Sequence, residues 1–368
     1  MTVPNDALTG PLAREEEELI KRTSLVPGER MQAGLEGLVL GLDAVIITTE
    51  PGRVVPAVNE LLRYTGHSCT EAYTQGNAKG YVLGRPGSAS LIVRSRGVSP
   101  NPFRTINKSR MTATLPDTRL ETFVFATPDI QEYVRIQKAR NVQFLTPEPV
   151  ESACCSFIQT VPSRFTGNSL GFIEWKGADR SYLPRGADKV FSVLKKPDFP
   201  SLDNIGMLDH TATRVRAQER TAAILEFISL TNYHYDFAVH VKSLNSITSV
   251  ARRQPEDFAM VFTSGITPYT TDGESGPTER FIRNYGTRVH HMAFRTERIE
   301  ATIDSLKKDG MEFLLDLVGS EEEGLRQIFS VPSQNTLIIN EYIQRYGGFE
   351  GFFTRSNVGK LTEATGWQ

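Results

Sequence analysis

Cysteine is nearly absent from this sequence: Cys69, Cys154 and Cys155 are the whole set in 368 residues. So sparse a set, with no C-x-x-C spacing, excludes a disulfide framework and a thiolate zinc site. It points to free thiols in a reducing cytoplasm. Adjacent Cys154 and Cys155 would face opposite sides of a strand. Long apolar runs are missing too, none approaching the ~20 residues of a membrane helix. The opening Met1-Thr2-Val3-Pro4-Asn5-Asp6 has neither a basic stretch nor an apolar one, so no secretory signal is expected. Excess charge is lacking: the net value is −2, and Lys and Arg are dispersed apart from pairs such as Lys195-Lys196 and Arg252-Arg253. That argues against nucleic acid and anionic membranes as partners. Gly84-Arg85-Pro86-Gly87 lacks the helix that must follow a phosphate loop. No nucleophile elbow with Ser, His and Asp in order is visible. Asn107-Lys108-Ser109 fits a glycosylation sequon, which means nothing without secretion.

What remains is an ordinary globular composition, 39% hydrophobic and 23% charged. The length calls for two domains of roughly 150 residues each. Residues 1–35 carry an acidic-then-basic patch, Glu15-Glu16-Glu17-Glu18-Leu19-Ile20-Lys21-Arg22, expected as an outer helix or arm, with a disordered tail as the alternative. The strongest internal signal is a repeat. Four segments share an apolar strand, a short polar step and an amphipathic helix, and start at Leu42, Leu120, Leu208 and Val289, roughly 80 residues apart. More strand-type runs follow each helix, so each unit reads as a βαβββ module. The expected fold is therefore α+β, two tandem domains of two modules each. The domains are an N-terminal one at 36–194, a proline-bearing linker at 195–204, a C-terminal one at 205–355 and a tail helix at 356–368.

The third positions of the four starts are Ala44, Thr122, His210 and His291. Only the second half has imidazoles there. Leu337-Ile338-Ile339-Asn340-Glu341-Tyr342-Ile343, which closes the fourth module, adds a carboxylate; Glu174 in Leu170-Gly171-Phe172-Ile173-Glu174-Trp175 is its expected counterpart in the second module. Strict alternation along a strand puts His210 on the face of Leu208 and Ala212. It puts His291 on the face of Val289 and Ala293, and Glu341 on that of Ile339 and Ile343. Three polar groups would then enter one interior, where a lone buried carboxylate is costly. Two His and one carboxylate with open positions is the ligand set of non-haem Fe(II) oxygenases. The alternative is two satisfied core histidines and a Glu bonded to backbone. Of the other histidines, His290 is expected on the face opposite His291. His240 is expected in the core, with lining the same cavity as the alternative, and His67 and His234 beside turns as structural or exposed residues.

At these residues the sequence resembles the 4-hydroxyphenylpyruvate dioxygenase and 4-hydroxymandelate synthase family of the vicinal oxygen chelate superfamily. The pieces that carry the resemblance are Leu208-Asp209-His210, Val289-His290-His291-Met292-Ala293-Phe294, Leu325-Arg326-Gln327-Ile328-Phe329 and Asn340-Glu341-Tyr342-Ile343-Gln344-Arg345. Ile173-Glu174-Trp175 with Tyr182-Leu183-Pro184 looks like the end of the family's degenerate N-terminal domain. The resemblance implies Fe(II) on His210, His291 and Glu341, which would be the catalytic centre, with O2 as co-substrate. It implies an open barrel closed by a C-terminal helix. Substrate contacts would come from Ser246 (in Leu244-Asn245-Ser246), Gln327, Phe329, His290, Phe349, Phe352 and Phe353. The sequence departs from the family in four places: at Phe262 to Pro268, near Gly276-Pro277-Thr278, at His290 where a Gln is usual, and in the lid Gly347 to Phe353.

The implied activity is oxidative decarboxylation of a 2-oxo acid, 4-hydroxyphenylpyruvate or a related aryl or alkyl pyruvate, with hydroxylation of the same molecule. Extradiol ring cleavage or another metal-dependent reaction of the superfamily is the alternative, and a non-catalytic small-molecule-binding protein a further one. A homodimer or homotetramer in the cytoplasm is what the family suggests.

Overall fold

The computed structural model describes residues 10–97, 100–347, 349 and 351–368. A long helix α1 (Pro11–Ala33) leads into the first half. There the first module is β1 (Leu42–Thr48), α2 (Val54–Tyr64), β2 (Ser68–Gln75), β3 (Ala78–Gly84) and β4 (Ser90–Arg94). The second is β5 (Arg119–Ala126), α3 (Ile130–Ala139), β6 (Val150–Glu151), β7 (Cys155–Gln159) and β8 (Ser169–Trp175), with a short β9 (Asp188–Lys189) at the sheet edge. The third module is β10 (Ile205–Arg214), α4 (Arg220–Leu230), β11 (His234–Val241), β12 (Ser246–Arg252) and β13 (Ala259–Ser264). After α5 (Pro277–Tyr285) comes the fourth: β14 (Arg288–Thr296), α6 (Ile299–Lys308), β15 (Val318–Ser320), β16 (Leu325–Phe329) and β17 (Ile339–Arg345), with α7 (Arg355–Ala364) last.

The modules join through their first strands. One curled sheet runs β6-β7-β8-β5-β1-β4-β3-β2-β9 and the other β11-β12-β13-β10-β14-β17-β16-β15. The α+β fold of tandem vicinal oxygen chelate domains is the observed one. Each sheet turns one face to its helices, and these faces merge into a single core that runs from Leu19 of α1 through Phe125 and Phe172 to Phe294 and Tyr342. Each sheet's other face is a separate interior, made by Ala44, Val82, Val124 and Ile173 in the first half and by Ala212, Val239, Val250 and Val261 in the second.

Local chemistry sets the helix ends. Asp129 caps α3 by accepting from the Glu132 amide at 2.9 Å, and Gly34 ends α1 in the left-handed region at φ 78°. Helix α1 does not stay with its own half. Buried Arg30 donates to the carbonyls of Ile228, Thr231 and Tyr233 at 2.7–3.0 Å, filling acceptors that the end of α4 leaves open. On the same helix, Glu16 accepts from Arg220 and from the Tyr235 hydroxyl, with His240 Nε2 at 3.5 Å. Of residues 1–35, α1 occupies Pro11–Ala33 and packs on the second half, while residues 1–9 lie outside the described region.

Strand register corrects the expected equivalence of Glu174 and Glu341. His291 and Ala293 of β14 pair with Ile339 and Glu341, whereas Thr122 and Val124 of β5 pair with Ser169 and Gly171. Gly171 thus holds the place of Glu341, and a Cβ there would meet the Phe157 ring at 2.9 Å, so the first-half slot is filled. Glu174 matches Gln344 instead. Each accepts from the first amide of a helix, Ile130 N at 2.9 Å and Ile299 N at 2.8 Å.

Candidate metal centre

The central strands of the second half do not alternate cleanly. Between β10 and β14 the pairing steps from Leu208–Phe294 to His210–Ala293, and from Ala212–His291 to Thr213–Val289. Asp209 and His290 are therefore the extra residues of two β-bulges, which turn a side chain away from its alternating direction. Leu208 and Val289 lie in the helix-side core, not on the faces of His210 and His291 as strict alternation requires. His290, expected opposite His291, instead lies beside it with ring centroids 5.2 Å apart. Each bulge thus sets a polar residue against the Nδ1 of the histidine that follows it. The first half carries the same two shifts, at Asp43 and Glu121.

His210, His291 and Glu341 are all buried, and one ligating atom from each lies within 4.8 Å of the others. His210 Nε2 is 3.1 Å and His291 Nε2 3.3 Å from the same oxygen, Glu341 Oε2. Ligands about 2.1 Å from one ion would stand about 3.0 Å apart at an octahedral right angle and about 3.4 Å apart at a tetrahedral one. The observed separations fall between. His210 Nε2 is also buried without a hydrogen-bond partner, although an acid oxygen stands close by. Both facts fit a metal ion at the point of convergence.

Each of the three side chains is held from behind. His210 Nδ1 lies 2.8 Å from Asp209 Oδ2, and Asp209 accepts in turn from Arg345 at 2.7 and 3.0 Å and from Arg295 at 2.8 Å. His291 Nδ1 lies 2.9 Å from His290 Nδ1, and His290 Nε2 lies 2.8 Å from Gln368 Oε1. One proton arrangement satisfies that chain: His290 Nε2–H donates to Gln368, and His291 Nδ1–H donates to the bare His290 Nδ1. The Nε2 lone pair of His291 is left for the centre. Gln327 Nε2 donates to Glu341 Oε1 at 2.5 Å, and Gln327 Oε1 accepts from Asn357 of α7 at 3.0 Å. Both ends of the Gln327 amide are thus engaged in positioning Glu341.

Charge follows the same logic. Burial pushes His210 down, but Glu341 and Asp209 outweigh it and raise it to about 8. A metal ion at neutral pH would displace that proton. Burial holds His290 and His291 well below the usual range, with the Arg214 charge adding to the effect on both. Burial would raise Asp209, but Arg345 and the His210 contact keep it well below the usual carboxylate range.

A small cavity of about 40 Å³ opens beside the triad. Phe329 lines it, 4.7 Å from the His291 ring, and Phe353 lies 5.2 Å from His210. Phe352, 5.3 Å from His210, lies over Arg345 at 4.8 Å and so covers the Asp209 ion pair. Of the other expected substrate contacts, His290 and Gln327 line the cavity. Ser246 is buried, but Thr248, two residues along the same face of β12, is the lining residue. Phe349 packs on Ala293, Leu325 and Ile343. His240 turns to Glu16, and His67 is buried near the Ala89 carbonyl. Sequence reasoning missed Arg214, Thr263 and Thr278 in the wall, and Asn357 behind it. The signal for Arg214 was present: it follows His210 and Ala212 at even spacing along one strand.

No protein-family model matches this chain, and no curated protein matches it in sequence. Solved structures do match in fold. A mutant of 4-hydroxymandelate synthase from Streptomyces coelicolor aligns with TM-score 0.66 at 17% identity, over 89% of this chain and 98% of that one. A xylose isomerase-like TIM barrel/4-hydroxyphenylpyruvate dioxygenase fusion protein aligns with TM-score 0.63 at 15% identity, over 98% of this chain and 60% of the fusion. At these identities the likeness concerns the fold.

Proposed function

We propose that this chain is a non-haem Fe(II) dioxygenase that oxidatively decarboxylates a 2-oxo acid and hydroxylates the same molecule. The observation that carries the reading is the convergence of His210, His291 and Glu341 on one point, each backed by its own partner. Two His and a carboxylate with open positions is a ligand set suited to Fe(II) and O2. The names of the two structural neighbours lend support.

His210, His291 and Glu341 would hold the iron, which when bound would supply open coordination positions and relay electrons from the substrate to O2. The overall conversion balances: a 2-oxo acid and O2 give CO2 and a hydroxylated acid one carbon shorter. One oxygen atom enters the new carboxylate and the other the hydroxyl. The chain's own part is positional. Asp209 and His290 hold the two imidazoles in the tautomer that presents Nε2, and Gln327 orients Glu341. Phe329, Phe353 and Val261 supply the apolar part of the cavity wall. The cavity of about 40 Å³ is far smaller than an aryl pyruvate, and Val358, Leu361 and Thr362 of α7 form one of its walls, so an outward shift of α7 would enlarge it.

The test is aerobic incubation of the Fe(II)-loaded protein with 4-hydroxyphenylpyruvate and other aryl and alkyl pyruvates, following O2 uptake and CO2 release. Coupled turnover with at least one 2-oxo acid is expected. If none supports it, the assignment is wrong.

A further inference from the structure

Among the described residues Arg214 is the one strongly basic group in the cavity wall, and the function proposed above gives it no task. Its side chain is 4% exposed. Nη1 donates to the Pro277 carbonyl at 3.2 Å and Nη2 to the Thr365 hydroxyl at 2.7 Å, and the Phe281 ring lies 4.5 Å away. All of these are neutral. Among the described residues no carboxylate pairs with it, and burial alone pushes it down, to about 9, which still leaves it charged at neutral pH. A buried cation without a counter-ion is costly unless something else supplies the charge. Beside it in the sheet stands Thr263, its direct partner in the β10–β13 register. The Thr263 hydroxyl also lines the cavity and is buried without a hydrogen-bond partner. A guanidinium with donors to spare and an idle hydroxyl therefore share one corner.

The charge balance of the pocket points the same way. Asp209 is more than matched by Arg295 and Arg345, whose side chains are partly exposed to solvent outside the cavity, so it offers Arg214 no counter-charge. A divalent ion together with Glu341 leaves one positive charge, which the carboxylate of a 2-oxo acid cancels. Arg214 leaves one more. Its Cα is four residues, about 13 Å of strand, from that of His210. Its charge reaches His290 and His291, yet among the described residues it pairs with neither Glu341 nor Asp209, so it is a positive charge additional to that of the metal point.

We infer that Arg214 and Thr263 form an anion-recognising corner, and that the substrate is a 2-oxo acid bearing a second anionic group besides the carboxylate that would meet the metal. The substrate class rests on the function proposed above; the anion preference of the corner does not. Arg214 would act by a charge-assisted, forked hydrogen bond, with Thr263 supplying a further donor.

The experiment is anaerobic calorimetric binding to the Co(II)-loaded full chain, using ligands matched in shape but not in charge. The pairs are 2-oxoglutarate against 5-methyl-2-oxohexanoate, and 4-carboxyphenylpyruvate against 4-isopropylphenylpyruvate. The parent should prefer the dianion of at least one pair by about 10- to 100-fold, the range of a hydrogen bond to a charged group. Arg214→Gln should erase that preference while leaving the affinity for the uncharged-tail ligand nearly unchanged. Arg214→Lys should keep part of it. A parent without any dianion preference overturns the inference without recourse to a variant, as does a folded Arg214→Gln protein that retains the preference. If no 2-oxo acid binds at all, the proposed function fails instead. The corner is then judged by benzoate against benzyl alcohol. An Arg214-dependent rise in melting temperature with benzoate alone supports it, and no rise overturns it.

Discussion

Replacing His290 by Leu removes the acceptor of the His291 Nδ1–H. In the parent that proton rests on His290 Nδ1 at 2.9 Å, and His290 is itself anchored to Gln368 at 2.8 Å. Two effects follow from its loss. In the metal-free protein a buried N–H is left unpaired, which costs about 1–3 kcal/mol of stability. The imidazole of His291 is also freed to turn or to change tautomer. Loss of such a supporting partner lowers metal affinity by about 10- to 100-fold, or about 1.4–2.7 kcal/mol. His290→Gln is the control, because its amide oxygen can accept the same proton. Affinity is read by chelator-competition titration with Co(II) or Zn(II), with circular dichroism and a thermal melt to verify folding. The expected order is parent and Gln variant close together, with Leu well below. A folded Leu variant that binds metal as tightly as the parent would refute the tautomer argument. So would a Gln variant as weak as Leu.

His210→Ala should abolish metal retention in a purified sample, measured by elemental analysis; undiminished metal would sink the ligand assignment. Arg30→Ala removes one buried donor from three backbone carbonyls and should lower stability in urea unfolding by at least the ~1–3 kcal/mol of one buried group left unsatisfied, because the carbonyls at the end of α4 lose their donor. Burial tends to raise Glu16, but the His240 contact, the Arg220 charge and the Tyr235 hydroxyl outweigh it and hold it at about 2, below the ordinary 4.5. A depressed folded pKa gives stability that is present above 4.5 and lost as pH falls towards 2. Stability measured between pH 5 and pH 3 should therefore drop more steeply for the parent than for Glu16→Gln, and parallel curves would contradict the buried cluster.

The fold was legible because its causes are local and repeated. Apolar runs of period two, followed by amphipathic helices at near-constant spacing, specify a βαβββ unit wherever they occur. His210, His291 and Glu341 stood out for the same reason, as polar side chains in strands that otherwise belong to a core. Ala44 and Thr122 in the matching positions of the first half made the contrast visible, and those residues do occupy the matching register. Where strict alternation was extended residue by residue it failed, at Leu208, Val289 and His290. The cause lies in the pairing of β10 with β14, strands from different modules whose bulges no single-strand pattern records.

Residue type and period thus determined the modules, their tandem order and the three candidate ligands. Tertiary structure alone decided what surrounds those ligands. The bulges bring Asp209 and His290 behind the two imidazoles, and the β16–β17 pairing brings Gln327 to Glu341. Register assigns Gly171, not Glu174, to the carboxylate's place in the first half. Helix α1 crosses to α4 of the other half. Arg214 stands out only in three dimensions, because among the described residues no acid lies beside it. Periodicity is a property of neighbours in the chain, whereas charge compensation and register belong to residues that only folding makes neighbours.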